Sequence, residues 1–239
     1  MLFDKFYNRT IITGKIAALD PIHIGSSAKN SLNPVEIDDS VLKDSTGRPV
    51  IPGSSIKGVV RSFFESVLRA NGIESCYVMD DEQCCTEMEP AKTRINEAKL
   101  SLSQLELGKV IYKNSCEVCK LFGGREFAGK LMFKDCYLIG EPIFEYRDGV
   151  GIDRATGAAK SGAKYDYEIV PQGSEFDFYL ICENIDEVQE KYLNFIISGM
   201  ESGNLSVGGM TTRGLGRFKL IDVQRQTLNT NDLKKALEI

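Results

Sequence analysis

The sequence lacks the features that mark several large classes of protein. It has no apolar run long enough to cross a bilayer, so no transmembrane helix is predicted. Its first residues lack the basic and long apolar segments of a secretory signal, so a cytoplasmic protein is expected. The single histidine, His23, gives little support to histidine-based acid–base catalysis. The net charge of −5 argues against nucleic-acid binding, because domains with that function are usually basic.

The charges are unevenly distributed along the chain. Acidic residues crowd one segment, namely Glu74, Asp80, Asp81, Glu82, Glu87 and Glu89. The stretch 203–225 is basic, because Asp222 is its one acidic residue and it contains four basic ones, namely Arg213, Arg217, Lys219 and Arg225. A basic face on an acidic protein is therefore compatible with the sequence.

The apolar pattern predicts one α+β domain over residues 1–239. Alternating, β-branched segments predict the main strands, at 9–19, 129–139, 175–182 and 216–223. Apolar residues three and four apart predict the main helices, at 54–71 and 186–200. Shorter elements are predicted as a strand at Val50–Ile51 and helices near 98–107 and 231–237. The order strand, helix, strand, strand, helix, strand is the ferredoxin-like (RRM-like) plan.

Two long segments interrupt this plan. Residues 73–127 form a polar insertion that holds five of the seven cysteines. The second segment, at about 147–172, is rich in glycine, alanine and lysine and is interpreted as a protruding hairpin or flexible loop.

The cysteines of the insertion favour a metal site, because cytosolic chains rarely use disulfides. Cys116 and Cys119 form a CxxC pair, which supplies half of a tetrahedral zinc site. Cys76 and Cys84 are predicted to complete it, with Cys85 as the alternative to its neighbour. A structural Zn²⁺ would hold together an insertion that lacks its own core. The remaining two fall in strand patterns and are predicted to be buried; they are Cys136 and Cys182.

Two segments have the chemistry of anion sites. The sequence IPGSSIKG (51–58) begins the strongest predicted helix, and helix N-termini offer free N–H groups and partial positive charge. Its donors would be Ser54, Ser55, Lys57 and Arg61, although plain capping by the serines is an alternative. The second segment, GGMTTRGLGRF (208–218), combines glycines with Arg213 and Arg217. A simple glycine-rich turn is the alternative there.

Three aspartates lie in the long loop that follows His23. They are Asp38, Asp39 and Asp44. Loop carboxylates can hold a divalent ion or position a nucleophile in phosphoryl transfer. Most loop aspartates are solvated turn formers, which is the simpler interpretation.

Five further segments occur in a characteristic order: HIGSS (23–27), DDSVLKDSTGRPVIPGSSIKGVVRS (38–62), LFGG (121–124), GIDRATGAAKSGAKYDYEIVPQGSEFDFYL (151–180) and GGMTTRGLGRF (208–218). Taken together they resemble the RAMP superfamily, and most closely the backbone subunit of type III CRISPR effector complexes. The resemblance covers nearly the whole chain. The cysteines before LFGG resemble those of zinc-bearing type III-D-like variants.

The resemblance implies a protein that forms a filament along guide RNA. A ferredoxin-like palm would hold the guide backbone, and the 147–172 segment would be a thumb hairpin that kinks the guide–target duplex. The implied RNA-binding residues are His23, Ser54, Ser55, Lys57, Arg61, Arg154, Lys160, Lys164, Arg213 and Arg217. The implied catalytic residue is Asp38, with Asp39 as the alternative, aided by Mg²⁺ or another divalent ion. The implied partners are guide RNA, target RNA, like subunits, a large polymerase-like subunit and small subunits.

The sequence leaves other functions open. The chain could be a non-cleaving scaffold of the same complex, in which the loop aspartate is inert. A guide-precursor-processing endonuclease is a poorer match, because that class commonly relies on histidine or lysine. A zinc-stapled protein-interaction module that never meets RNA is the unrelated alternative.

Overall fold

The computed structural model describes residues 3–26, 39–80, 82–230 and 232. The strands are β1 (Asn8–Ala18), β2 (Val50–Ile51), β3 (Leu131–Phe133), β4 (Cys136–Tyr137), β5 (Glu145–Ile152), β6 (Ala159–Ile169), β7 (Glu175–Glu183), β8 (Leu205–Ser206) and β9 (Arg217–Asn229). The helices are α1 (Gly53–Ala70), α2 (Ala91–Ser101), α3 (Gln104–Lys113), α4 (Glu117–Phe122) and α5 (Glu187–Glu201). No described helix is long and apolar enough to cross a membrane.

One antiparallel sheet organises the fold. Its strands lie in the order β3-β7-β1-β9-β8, with β1 pairing to β7 on one side and to β9 on the other. Because β3, β7 and β9 are the second, third and fourth main strands, this is the order of a split βαβ sheet with one added edge strand. The predicted ferredoxin-like fold is confirmed. We call this sheet, together with α1 and α5, the palm.

The core lies between the sheet and its two helices. Alternate residues of β1, including Ile12 and Ile16, face the helices and are fully buried. Helix α1 buries one residue per turn, so a single apolar stripe faces the sheet; its members are Ile56, Val60, Phe64 and Leu68. Each such side chain contributes about 1.5–3 kcal/mol by leaving water. This packing fixes the start of α1 relative to the sheet.

Some element boundaries differ from the prediction. The segment near 98–107 is the junction of α2 and α3, because Leu102 is extended and Ser103 begins α3 with a capping box to Glu106. The strand predicted at 129–139 is divided into β3 and β4. The last strand, β9, runs on to Asn229 because it pairs with β1 along that strand's whole length. The helix predicted at 231–237 falls almost wholly outside the described residues.

A buried lysine joins the palm to the insertion. The side chain of Lys130 is 1% exposed. Its Nζ donates to the Asn184 carbonyl at 2.8 Å and to Gln189 Oε1 at 2.7 Å. Gln189 in turn donates to the hydroxyl of Tyr112, on α3, at 2.9 Å. Burial lowers the pKa of Lys130 to about 8.

This lysine should make stability depend on pH. Between pH 8 and 10.5 the unfolded chain holds a proton that folded Lys130 lacks, so the free energy of unfolding rises with pH. We expect Lys130→Met to remove a rise of about 3 kcal/mol. Urea unfolding across that window measures it, with the exposed Lys99→Met as the control. Parallel profiles for wild type and Lys130→Met would contradict the assignment.

Candidate nucleic-acid interface and cysteine centre

Four cysteines converge where the insertion meets the palm. Their Sγ atoms all lie within 4.8 Å of one another, and the residues are Cys76, Cys85, Cys116 and Cys119. The Cys76 and Cys119 sulfurs are 3.4 Å apart, and those of Cys116 and Cys76 are 3.7 Å apart. Four thiolates at about 2.3 Å from a zinc ion stand about 3.8 Å from one another. The donor set and its spacing therefore fit a tetrahedral metal centre.

The structure corrects one predicted ligand, because Cys85 and not Cys84 reaches the cluster. The Cys84 side chain is buried on another side of the turn, where its Sγ lies 3.4 Å from the Thr86 hydroxyl. Adjacent residues in a turn direct their side chains differently, so one of the pair is excluded from the site. The remaining cysteines, Cys136 and Cys182, are buried in strands as predicted.

Hydrogen bonds among the thiols of the cluster shift their pKa values in opposite directions. Hydrogen bonding from Cys119, and then from Cys76 and Cys85, lowers the pKa of Cys116. The same contact raises the pKa of Cys119. Metal binding requires thiolates and would displace the shared protons.

The guanidinium of Arg61 is engaged within the protein. It donates to Glu65 Oε1 at 2.8 Å, to the Gly123 carbonyl at 3.0 Å and to Cys119 Sγ at 3.5 Å. The sequence suggested an RNA contact for this residue. In the structure Nε, Nη1 and Nη2 each donate to one of these partners, and an RNA contact would have to compete with these bonds.

The serines at the start of α1 do not cap it. The N-cap residue is Pro52, and among the described residues no side chain makes the capping bond. Ser54 is exposed, while Ser55 and Lys57 are partly exposed in the first turn. Burial, with a smaller effect from nearby Arg61, lowers the pKa of Lys57. The serine hydroxyls are therefore available to an external ligand.

A close approach of two backbones fixes this helix end. The Gly53 N–H donates to Asp135 Oδ1 at 2.8 Å, just after β3. A Cβ at Gly53 would overlap the carbonyl of Phe133, so glycine is required there. The first turn of α1 is thus held against the end of a palm strand.

The glycine-rich segment packs on the turn that contains His23. The Gly209 N–H donates to the His23 carbonyl at 2.8 Å, and the Gly216 N–H donates to the Pro21 carbonyl at 2.8 Å. Gly208 has φ +89°, and a Cβ there would overlap the His23 carbonyl. The structure therefore brings together two segments that the sequence singled out separately.

The two arginines of this segment point to different neighbours. Arg217 makes an ion pair with Asp20, with Nε 3.0 Å from Oδ2. Arg213 donates to the hydroxyl of Tyr165, on β6. Both arginines are exposed, so each keeps a surface open to a ligand. The contact through Tyr165 connects the glycine-rich segment to the hairpin.

His23 is 2% exposed, and each of its ring nitrogens faces an oxygen atom. Nδ1 lies 2.7 Å from the Glu168 carbonyl, and Nε2 lies 3.2 Å from Asp39 Oδ2. A carbonyl oxygen can only accept, so His23 donates in the Nδ1 contact, while Nε2 faces the Asp39 carboxylate. His23 therefore orients Asp39, and its ring would have to leave its pocket to contact RNA.

A short arm, residues 39–43, is attached to the base of β6. The Glu168 N–H donates to the Asp39 carbonyl at 3.0 Å. The Glu168 carboxylate is buried and accepts from the Val41 N–H at 3.0 Å and from Lys43 Nζ at 2.8 Å. Sequence reasoning missed Glu168 and Lys43. The available signal was an acidic residue inside the apolar end of a strand, YEIV (167–170).

Strands β5 and β6 form a hairpin separate from the main sheet. Three basic residues predicted to bind RNA lie exposed on it, namely Arg154, Lys160 and Lys164. Lys164 Nζ is 3.0 Å from Asp148 Oδ2, in a pair that is mostly exposed and easily exchanged. Asp38, the predicted catalytic residue, lies outside the described residues, next to Asp39.

Comparison with known proteins identifies a family. The sequence model of the RAMP superfamily matches residues 15–219.

Three curated proteins similar to the chain carry one name, "CRISPR system Cms endoribonuclease Csm3". The protein of Enterococcus italicus is 28% identical, over 90% of this chain and 91% of its own length. That of Methanocaldococcus jannaschii is 26% identical, over 90% of this chain and 80% of its own length. That of Mycobacterium tuberculosis is 26% identical, over 91% of this chain and 89% of its own length.

Proposed function

The chain belongs to the RAMP superfamily, and from that premise we propose that it is a guide-RNA-binding backbone subunit of a type III CRISPR effector complex that cuts target RNA. The name shared by its relatives, an endoribonuclease of a CRISPR system, supports this proposal. In the proposed complex it binds guide and target RNA and stands beside like subunits. A large polymerase-like subunit and small subunits complete the assembly.

One observation carries the proposal. The arm that begins at Asp39 is hydrogen-bonded to the base of the hairpin, beside the His23 turn and the glycine-rich segment. Asp39, the projecting hairpin and the exposed arginines of the glycine-rich segment therefore lie in one region, where they would serve cutting, duplex deformation and phosphate binding. Recognition through backbone and shape would leave the reading of sequence to the guide.

In the proposed cleavage reaction, the hairpin and the two loop aspartates have different roles. In-line attack needs a ribose 2′-hydroxyl aligned with the adjacent phosphate, and a duplex kinked by the hairpin would supply that alignment. Asp38 would orient the hydroxyl, and Asp39 would stay fixed by His23. Mg²⁺ is commonly held by one or two carboxylates and waters, which the 41% exposed Asp39 side chain beside Asp38 fits. When bound, such an ion would withdraw negative charge from the phosphate.

The cysteine centre would hold a structural Zn²⁺. Four thiolates with no open position are typical of structural rather than catalytic zinc. Its ligands come from three separate segments of the insertion, so the ion would join stretches that share little core. The zinc centre braces the fold in this proposal and takes no part in cleavage.

A salt series tests RNA binding directly. We expect the purified chain to bind single-stranded guide RNA in filter-binding assays, with affinity falling steeply as salt rises, because phosphate contacts release counterions. Absent binding, or binding that ignores salt, would reject the proposed function and favour a protein-interaction module.

The hairpin charges have their own test. Arg154→Ala combined with Lys160→Ala should weaken RNA binding and flatten the salt slope by about 0.7 for each lost phosphate contact. The control is Lys92→Ala with Lys99→Ala, which removes the same charge from α2 in the insertion. Equal slopes for the two double variants would show that the hairpin cations do not contact the backbone.

A further inference from the structure

The polar face of α1 lies against the cysteine centre. Arg61 and Glu65 pair one turn apart, and their side chains are only 16% and 14% exposed. The second Glu65 oxygen accepts from Arg69 at 3.2 Å. Arg61 also reaches the cluster, because its guanidinium donates to Cys119 Sγ at 3.5 Å. The contact therefore joins a palm helix to one specific thiol.

The same guanidinium also fixes the backbone that carries this thiol. It donates to the carbonyl of Gly123, the residue that ends α4. The Gly123 N–H in turn donates to the Cys119 carbonyl at 2.9 Å. Arg61 thus holds both the sulfur and the final turn of its helix. Two fixed points restrict the direction in which the Cys119 sulfur can face.

The positive charge of Arg61 can offset negative charge at the cysteine centre. Four thiolates around one divalent cation leave two net negative charges in a partly buried place, which is costly without compensation. A guanidinium is permanently protonated, and its planar fork can serve several acceptors at once. Lysine offers the charge but lacks the fork.

We propose that Arg61 is an outer-sphere residue of the metal centre, which holds the Cys119 thiolate in place and offsets the negative charge of the loaded site. This inference rests on the proposed zinc centre. It replaces the RNA contact that the sequence suggested for Arg61. The residue is a positioning group, because it acts on the metal through Cys119. Outer-sphere partners of metal ligands typically contribute about 10–100-fold to metal affinity.

The test measures metal retention and not RNA cleavage. Wild type, Arg61→Gln, Arg61→Lys and Glu65→Gln are loaded with zinc, and transfer of the ion to a chromogenic chelator is followed. We expect Arg61→Gln to lower zinc affinity at least about tenfold. Arg61→Lys should recover part of the loss, because it restores charge without the fork. Glu65→Gln, which removes the charge of the Arg61 partner but leaves the sulfur contact, should behave like wild type.

The other outcomes are distinct. Equal affinity of wild type and Arg61→Gln overturns the inference, as does an equal loss in Glu65→Gln, which would indicate a general disturbance of α1. If Arg61→Gln does not fold, Arg61→Lys decides, since wild-type affinity in that variant also overturns the inference. A wild-type chain that retains no zinc refutes the proposed metal centre itself, a failure visible before any variant is compared.

Discussion

Replacing Asp38 with alanine is expected to slow target-RNA cleavage by the assembled complex about a hundredfold or more, because a positioned carboxylate supplies a comparable factor in proton transfer and ion binding. Guide binding should not change, since the proposed backbone contacts lie on α1, the glycine-rich segment and the hairpin. Single-turnover cleavage of labelled target RNA measures the first quantity, and filter binding measures the second.

The matched control is Asp44→Asn in the same loop region. Asp44 accepts hydrogen bonds from Thr46 and Arg48 within its own turn. These bonds lower the pKa of Asp44, and the bond from the Thr46 hydroxyl has the largest effect. Its replacement should leave cleavage unchanged. If Asp38→Ala cuts at the wild-type rate and Asp39→Ala does not cut, Asp39 and not Asp38 is the catalytic residue. Undiminished cutting by both variants would refute a catalytic role for these aspartates.

Replacing Cys85 with serine should remove the metal and unfold the insertion. Structural zinc contributes about 10–16 kcal/mol of apparent binding energy in small zinc domains, so losing one of four thiolates should cost several kcal/mol of stability. Elemental analysis of the purified chain gives the zinc content, and thermal unfolding gives the stability. We expect about one zinc per wild-type chain and substoichiometric zinc in the variant.

Cys84→Ser distinguishes a ligand from a buried neighbour. Its sulfur contacts Thr86 and not the cluster, so zinc content should stay at the wild-type level with only a modest loss of stability. Zinc loss in Cys84→Ser with retention in Cys85→Ser would reverse the ligand assignment. A wild-type protein that folds intact without zinc would refute a structural centre.

Much of the palm could be predicted because local pattern and tertiary packing agree there. The buried stripe of α1 and the alternation in β1 and β7 each mark one face, and the order of elements then restricts the topology. The predicted ends of helices and strands were less accurate where a single hydrogen bond or strand pairing determines the boundary. Ser103 begins a helix inside what looked like a continuous one, and β9 is lengthened by pairing with β1, which no local signal indicates.

Some residues of the candidate sites could also be predicted from the sequence, whereas others required the fold. The CxxC pair gave two positions directly, yet only the turn geometry separates Cys85 from Cys84. His23 and Arg61 have the chemistry of RNA ligands, but three-dimensional contacts direct one to Asp39 and the other to Cys119. Glu168 and Lys43 lie 125 residues apart in sequence, so their pairing could not be predicted without the fold.

The attachment of the 39–43 arm to β6 has a mechanical consequence. Bonds of 2.8–3.0 Å join the arm to Glu168, so the hairpin and the residues just after Asp38 form a lever with a common pivot. In the proposed complex, a load that a bent duplex applied to the hairpin would reach the arm through these bonds. In the proposed complex, the bending of RNA and the position of Asp39 would therefore be coupled through Glu168.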